Sequence, residues 1–280
     1  LNKLLFVIVV YKENFWECKT YESIIKSLAL YPDYLIDIII IDNTDLPNWN
    51  NKDKAEEISL KTKNLNIFYR KFDNPGIPYA YNYAHGFANE NGYEWLIFLD
   101  QDTMLPSTVL KAYQDASENK NNVDIKAPIV LTKDKILSPS YYIFFRAFLF
   151  KKKPAKILDL KYISCINTGL MIKTKLFSKA NRYNEILHLD FADHDFIDRL
   201  KKIYHQLEVL DITFNQDFSS DTDTISKAKK RYKFFLKDMK TFTKNRSRLI
   251  MFISIDIPRV IVLTYKYKTF DFVKIRLGLN

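Results

Sequence analysis

Glycine is scarce in this chain, five in 280 residues. That shortage excludes the phosphate loops GxGxxG and GxxxxGK[ST], which need glycine at fixed spacing for tight turns and close backbone approach. Cysteine is scarcer: Cys18 and Cys165 lie far apart, with no CxxC and no histidine pattern beside them. Neither a disulfide framework nor a zinc site is expected, and a reducing, cytosolic setting fits. No run approaches the roughly 18 apolar residues needed to span a bilayer. The apolar start, Leu1 to Tyr11, is followed by no small-residue cleavage site, so it reads as neither a signal peptide nor an anchor. Internal repeats and low-complexity tracts are absent as well.

What the chain does have is apolar bulk and positive charge. Hydrophobic residues make up 47% of it, enough to bury a core as one large domain or as one domain with an appendage. The formal net charge of +10 points to anionic partners: phosphorylated small molecules, a membrane surface or nucleic acid. Lysine and arginine crowd at Lys151-Lys152-Lys153 and between Lys227 and Arg276, while the first hundred residues are nearly balanced. The expected division is a mixed-charge body over residues 1–222 and a basic helical extension over 223–280.

Apolar runs at Leu4 to Val10, Leu35 to Ile41, Asn66 to Tyr69 and Trp95 to Leu99 alternate with helical patterns at Phe15 to Leu30, Lys52 to Lys63 and Ala80 to Glu90. Continuous Ile, Val and Leu strands separated by helices predict an α/β architecture, a mostly parallel sheet covered on both faces. Ligands of such sheets sit beyond the carboxyl ends of the strands. Those ends carry Tyr11, Lys12 and Glu13, then Asp42 and Asn43, then Asp73, Asn74 and Gly76, then Asp100, Gln101 and Asp102. Each cluster alone is ordinary loop composition, but four in register at one edge are not. Two carboxylates one residue apart at the end of a buried strand concentrate negative charge that needs a cation, and Mg2+ or Mn2+ bridging a nucleotide diphosphate suits them. Further on, the pattern predicts a helix at Ser107 to Asn119, a strand at Ile125 to Leu131, an aromatic stretch at Tyr141 to Phe150 and a strand at Thr168 to Lys173. The acidic segment Leu189 to Arg199 and a basic helical tail from about Thr224 complete the chain.

The ordered set Val9-Val10-Tyr11, Ile41-Asp42-Asn43, Asn74-Pro75-Gly76 with Ala80 and Asn82, Asp100-Gln101-Asp102, Asn167-Thr168-Gly169 and Asp193-His194-Asp195 with Arg199 resembles the inverting family 2 glycosyltransferases of GT-A fold. Within them it looks most like the rhamnosyltransferase-like branch that builds bacterial surface polysaccharides. The resemblance covers about residues 4 to 220 and implies a GT-A, Rossmann-like nucleotide-diphospho-sugar transferase fold with a basic helical C-terminal extension. It implies that Asp42 accepts from the imide N–H of a uracil or thymine base packed on Tyr11, with Glu13, Asn43 and Gln101 also on the nucleotide-sugar side. Asp100 would lie near the ribose and Asp102 on a Mg2+ or Mn2+ ion that screens the leaving diphosphate. Asn74, Gly76 and Asn82 follow the N-x-G-x-x-x-A-x-N pattern: Gly76 permits close backbone approach, and Asn82 is either a ligand contact or part of a polar helix face. Thr168, Gly169, His194 and Asp195 would face the acceptor or the donor sugar. From the residues alone, a lone histidine in an acidic helix start such as His194 is more often a charge partner.

Asp193, from the residues alone, is either a helix cap or a functional acid, since Phe196, Leu200 and Ile203 follow helical spacing as a buried stripe and leave it at the first turn. The resemblance implies the second, a base taking the proton of the acceptor hydroxyl. Two departures stand out. Val10 and Lys12 occupy positions where the family usually carries Thr and Asn. Gln216 stands where many members have a histidine metal ligand, and glutamine is a poorer ligand for a transition metal but an acceptable oxygen donor for Mg2+.

The tail interleaves Lys and Arg with aromatic and apolar residues, as in Arg231-Tyr232-Lys233-Phe234-Phe235 and Arg248-Leu249-Ile250-Met251-Phe252-Ile253. That suits an anionic membrane surface, packing on the body, or, last in order, nucleic acid. The aromatic stretch Tyr141 to Phe150 repeats the signal in shorter form. The expected function is transfer of a sugar, rhamnose first, from a TDP- or UDP-sugar to a glycan or lipid-linked acceptor, at the cytoplasmic face of the plasma membrane. Two rivals remain: a basic membrane- or nucleic-acid-binding protein without turnover, and a haloacid-dehalogenase-like phosphohydrolase reading of Asp100-Gln101-Asp102, which lacks that family's later Gly-Asp acid loop.

Overall fold

Strand β1 (Leu4–Val10) is apolar at every position, and the computed structural model, which describes residues 2–119, 121–216 and 224–279, buries it on both faces. Alternation sends Leu5, Val7 and Val9 into one apolar cluster and Phe6, Ile8 and Val10 into another. β1 pairs in parallel with β2 (Ile36–Asp42), β2 with β3 (Leu65–Lys71), and on its other side β1 pairs with β4 (Trp95–Asp100). The crossovers are α1 (Lys19–Leu30), α2 (Lys52–Lys61) and α3 (Ile77–Glu90). Four parallel strands therefore end at one edge, with the four polar clusters on it.

The second half mixes directions. After β5 (Thr103–Met104) and α4 (Val109–Glu118) come β6 (Ile125–Thr132) and β7 (Lys135–Ser138), which folds back on β6. Of the next strands, β8 (Ser140–Ile143), β9 (Arg146–Leu149) and β11 (Ile163–Ser164) form a separate three-stranded sheet, while β10 (Ile157–Asp159) joins the rim of the main one. β12 (Met171–Lys173) runs antiparallel between β4 and β6, and β13 (Gln206–Gln216) runs parallel to β6. The order is β10-β13-β6-β12-β4-β1-β2-β3, a mixed, mostly parallel α/β sheet. α5 (Thr174–Lys179) and α6 (Ala192–Leu200) cover one face.

The expected boundary at 222–223 lies outside the described residues. α7 (Ile225–Phe242) follows, and its buried stripe Ala228, Tyr232, Phe235, Met239 and Phe242 joins the apolar cluster that holds α3 and α6. The packing reading of the tail thus holds for α7. α8 (Arg248–Met251), an i→i+5 segment at Phe252–Asp256, α9 (Ile257–Tyr267) and α10 (Asp271–Leu277) complete the chain. Among the described residues no helix is long and apolar enough to cross a membrane.

Three expectations shift. The helix over Phe15 to Leu30 breaks at Cys18, whose extended backbone separates a single turn at Phe15–Glu17 from α1 and lets both Phe15 and Cys18 enter the core. The strand expected from Thr168 begins only at Met171, because Gly169 turns the chain with φ +80°. α6 stops at Leu200, leaving Ile203 exposed instead of on the buried stripe.

Gly169 leaves no room for a side chain: a Cβ there would sit 2.3 Å from Pro128 Cγ and 2.7 Å from Phe214. Strain at positive φ and overpacking combine, so Gly169→Ala is expected to destabilise the fold by about 3 kcal/mol, read as a lower urea midpoint at unchanged slope.

Candidate active site

β4 delivers Asp100 to the sheet edge, and β5 pairs Thr103 with Gln216 at the end of β13. That pairing brings the Gln216 amide to both acids, its Nε2 3.4 Å from Asp100 Oδ2 and 3.5 Å from Asp102 Oδ1. The Tyr81 hydroxyl donates to Asp100 Oδ1 at 3.1 Å. Burial raises the Asp100 carboxyl above its ordinary value, against the pull of the Thr168 side chain, and the charge of Asp102 adds to the rise. Glu13 is raised in the same way, by burial and then by Asp102, which places it beside the pair.

Among the described residues no three or more His, Cys, Asp or Glu side chains gather as a metal cluster. The donor set is nonetheless one that Mg2+ or Mn2+ accepts, two carboxylates with the remaining positions open to water and phosphate oxygens. Among the described residues Gln216 Oε1 is buried without a partner. A cation between the acids would favour the amide turned over, oxygen inward, which gives that atom its partner.

On the β1 side, Gln101 ties the strand ends together, its Oε1 accepting from Tyr11 N at 2.6 Å. The Tyr11 ring is exposed, its hydroxyl directed to Asp45, which also pairs with Lys12 at 3.0 Å. Asp42 is a correction to expectation. It is fully buried, its carboxylate accepting from Thr44 N at 2.9 Å, Trp49 Nε1 at 2.8 Å and Tyr69 Oη at 2.7 Å. So committed, it holds the 42–49 loop and is not open to a base. Asn43 is buried too, donating to Gly76 O at 3.3 Å and leaving Oδ1 without a partner.

Gly76 starts α3 at φ +106°, where a Cβ would lie 2.8 Å from His188 O, and Ile77 N donates to the same carbonyl at 3.1 Å. The close approach it permits is to the 188 loop. Asn74 precedes it in the left-handed region at φ 49°. Asn82 takes the structural one of its two readings: it donates to Tyr183 O and Glu185 Oε1 and accepts from Tyr183 N. Thr168 and Gly169, expected on the sugar side, lie beneath the acids. Thr168 is buried and accepts from Asp100 N at 3.1 Å, while Gly169 O accepts from Tyr113 Oη at 2.7 Å.

Asp193 stands in the first turn of α6, its Oδ1 accepting from His194 N at 2.8 Å. Burial first, and then the charges of Asp100 and Asp193 among others, raise the buried Tyr81 and Tyr183 hydroxyls, so both acids lie near this pair of tyrosines. The neighbours of Asp193 are spoken for. Asp190 is bound by Arg231, and Asp195 pairs with Arg199 and Arg246 at 3.0 Å each, a structural clamp in place of a sugar contact. Asp193 itself has no ion pair among the described residues. His194 stacks on Tyr142 with ring centroids 4.4 Å apart and meets Ser164 Oγ through Nδ1 at 2.7 Å.

Asp238 of α7 was not visible as a site residue. It is fully buried and accepts from three successive backbone N–H groups, His188 at 3.0 Å, Leu189 at 2.9 Å and Asp190 at 2.8 Å. The signal was present: it is the sole acid of a lysine-rich helix, and it falls on the apolar stripe between Phe235 and Met239. Tyr81 and Tyr142 were also missed, since aromatic residues in a core stripe carry no mark of their polar ends.

Residues 6–180, more than half of the chain, match the sequence profile of Glycosyl transferase family 2. No curated protein matches. Among solved structures, the fold is similar to the mannosyltransferase PcManGT from Pyrobaculum calidifontis in complex with GDP-Man and Mn2+, at TM-score 0.55 and 10% identity over 89% of this chain and 66% of that one. It is similar to S. aureus TarS 1-349 in complex with UDP, at 0.51 and 14% over 88% of this chain and 66% of that one. GalNAc-T7 with UDP, GalNAc and Mn2+ gives 0.54 and 14% over 78% of this chain and 44% of that one. The chain spans less than two thirds of each of these three, and identities this low carry the fold alone.

Asp238→Asn keeps the side-chain volume but turns an N–H toward backbone N–H donors. It is expected to lower stability by about 2 kcal/mol in equilibrium unfolding, a buried donor left unsatisfied, with faster hydrogen exchange confined to the 188–190 amides.

Proposed function

The chain belongs to glycosyl transferase family 2, and we propose that it moves a sugar from a TDP- or UDP-sugar to a hydroxyl of a glycan or lipid-linked acceptor, with inversion at the anomeric carbon. The observation that carries this reading is the meeting of Asp100, Asp102 and the Gln216 side-chain amide at one edge, with Asp193, which has no ion pair among the described residues, close enough for its charge to act on the same buried Tyr81 and Tyr183 hydroxyls as that of Asp100. Rhamnose is the first sugar to test, after the branch the motifs resemble.

Asp100, Asp102 and the Gln216 amide oxygen would hold Mg2+ or Mn2+, which when bound offsets charge on the diphosphate. Tyr11, exposed beside the loop that Asp42 holds, is the platform for the base, and Gln101 fixes the strand end that carries it. Asp193 accepts the proton of the acceptor hydroxyl as its oxygen bonds to the anomeric carbon, and the bond from that carbon to the diphosphate breaks on the opposite side. Tyr81, buried and donating to Asp100, holds that carboxylate in place, and its ring rests against the buried Tyr183. A phosphohydrolase reading of Asp100-Gln101-Asp102 has no place in a family 2 chain.

A ligand that binds only the folded state must raise the unfolding midpoint. With TDP, UDP and GDP and their sugars, a rise that depends on Mg2+ or Mn2+ is expected for one nucleotide and should vanish in Asp102→Ala. No rise with any of them overturns the reading. Asp193→Asn is expected to keep the donor-induced rise while transfer falls by about 10² to 10⁴, the usual worth of a general base. Near wild-type transfer in that variant would remove Asp193 from the chemistry.

A further inference from the structure

α8, the i→i+5 segment and α9 form one helical run from Arg248 to Tyr267. One side is packed, with Met251 and Leu263 buried and Asp256 paired with Arg276 of α10 at 2.6 Å. The other side presents Leu249, Ile253, Ile257, Ile261 and Tyr265 at steps of four, exposed by 68%, 59%, 38%, 61% and 85%. Steps of four wind about 40° each around an ideal α-helix; the i→i+5 turn absorbs one residue and removes most of that drift, holding the ridge to one side for about 24 Å. Soluble surfaces rarely leave so long an apolar line open.

Charge surrounds the ridge with one sign. Lys244 and Arg248 are exposed at its start, Lys266 and Lys268 at its end, and Asp256, the sole acid between them, faces inward. A second apolar element stands beside it. The β8–β9 hairpin exposes Ile143, Phe144, Phe148 and Leu149, and three lysines follow it. Its Phe145 packs on Phe242 at the end of α7, with centroids 5.9 Å apart, which brings the hairpin to where the ridge begins. Tyr142 of the same hairpin is the residue stacked on His194, next to Asp193.

We propose that the ridge and the hairpin seat this protein on the surface of an anionic lipid bilayer, so that the acceptor side of the cleft opens at the membrane plane and takes a lipid-linked hydroxyl acceptor. The acceptor class rests on the transferase reading above; the bilayer contact does not. Apolar side chains enter the headgroup boundary while flanking cations meet lipid phosphates. A second copy of the chain is the poorer occupant, because a two-fold contact along the ridge would bring the cations of one end against those of the other with no carboxylate to meet them.

The test is co-sedimentation of the full chain with vesicles of phosphatidylglycerol and phosphatidylcholine, and of phosphatidylcholine alone. Binding is expected to the first and to be at least tenfold weaker in L249D/I253D/I261D, whose altered positions are exposed, with the nucleotide-induced midpoint rise unchanged. Wild type left in the supernatant, or a triple variant that binds anionic vesicles as well as wild type, overturns the proposal. So does a wild-type dimer that the triple variant dissolves without any vesicle binding, which assigns the ridge to a second copy. Failure of the transferase reading shows separately, as absence of the nucleotide rise in both proteins.

Discussion

The Asp238 carboxylate, buried in α7 and filled by the N–H groups of His188, Leu189 and Asp190, is the contact on which the acceptor half of the site depends. A chain segment entering a helix through Phe191 in the left-handed region has backbone donors that no secondary structure satisfies. Asp238 satisfies three of them at once, in a setting where charge-assisted hydrogen bonds are strong and unmet ones costly. Arg231 on Asp190 and Arg246 on Asp195 and Asp198 fasten the same segment from either side. These contacts fix where α6 begins, and hence where Asp193 stands.

The donor half is built on a different balance. Parallel strands carry their charges to one edge, and the sheet leaves Asp100 under burial that disfavours its ionised form. Tyr81, Thr168 and Gln216 offset this only in part. A cation at this edge would offset the like charges of Asp100 and Asp102, which lie close together on a part-buried strand end.

Much of this could be read from residue order. β1 and the runs Ile38 to Ile41 of β2 and Trp95 to Leu99 of β4 are continuously apolar, and their length leaves little else for them to be; the clusters after them follow from parallel pairing. Asp100, Asp102 and Gln216 come together because β5 pairs with β13, a contact between residues more than a hundred positions apart that no local pattern encodes. Asp42 shows the opposite case. Its place at a strand end suggested a ligand contact, but Trp49 and Tyr69 take up its oxygens, and the partners of a buried acid are set by tertiary packing. Asn82, open to two readings from the sequence, and Thr168 are likewise polar side chains whose partners, on the 183–185 loop and on the backbone of Asp100, are set by tertiary packing. The tail divided between two readings, α7 packing on the body and α9 turning an apolar line outward, since one amphipathic pattern serves either use.

Gly76 has a consequence for how the two halves move. Its missing side chain lets the start of α3 rest on His188, and Ile77 donates to that same carbonyl. The loop that follows β3 and the loop that Asp238 anchors therefore meet backbone to backbone. Separating them would break the Ile77 hydrogen bond and open the close contact at Gly76, so the position of one loop bears directly on the position of the other.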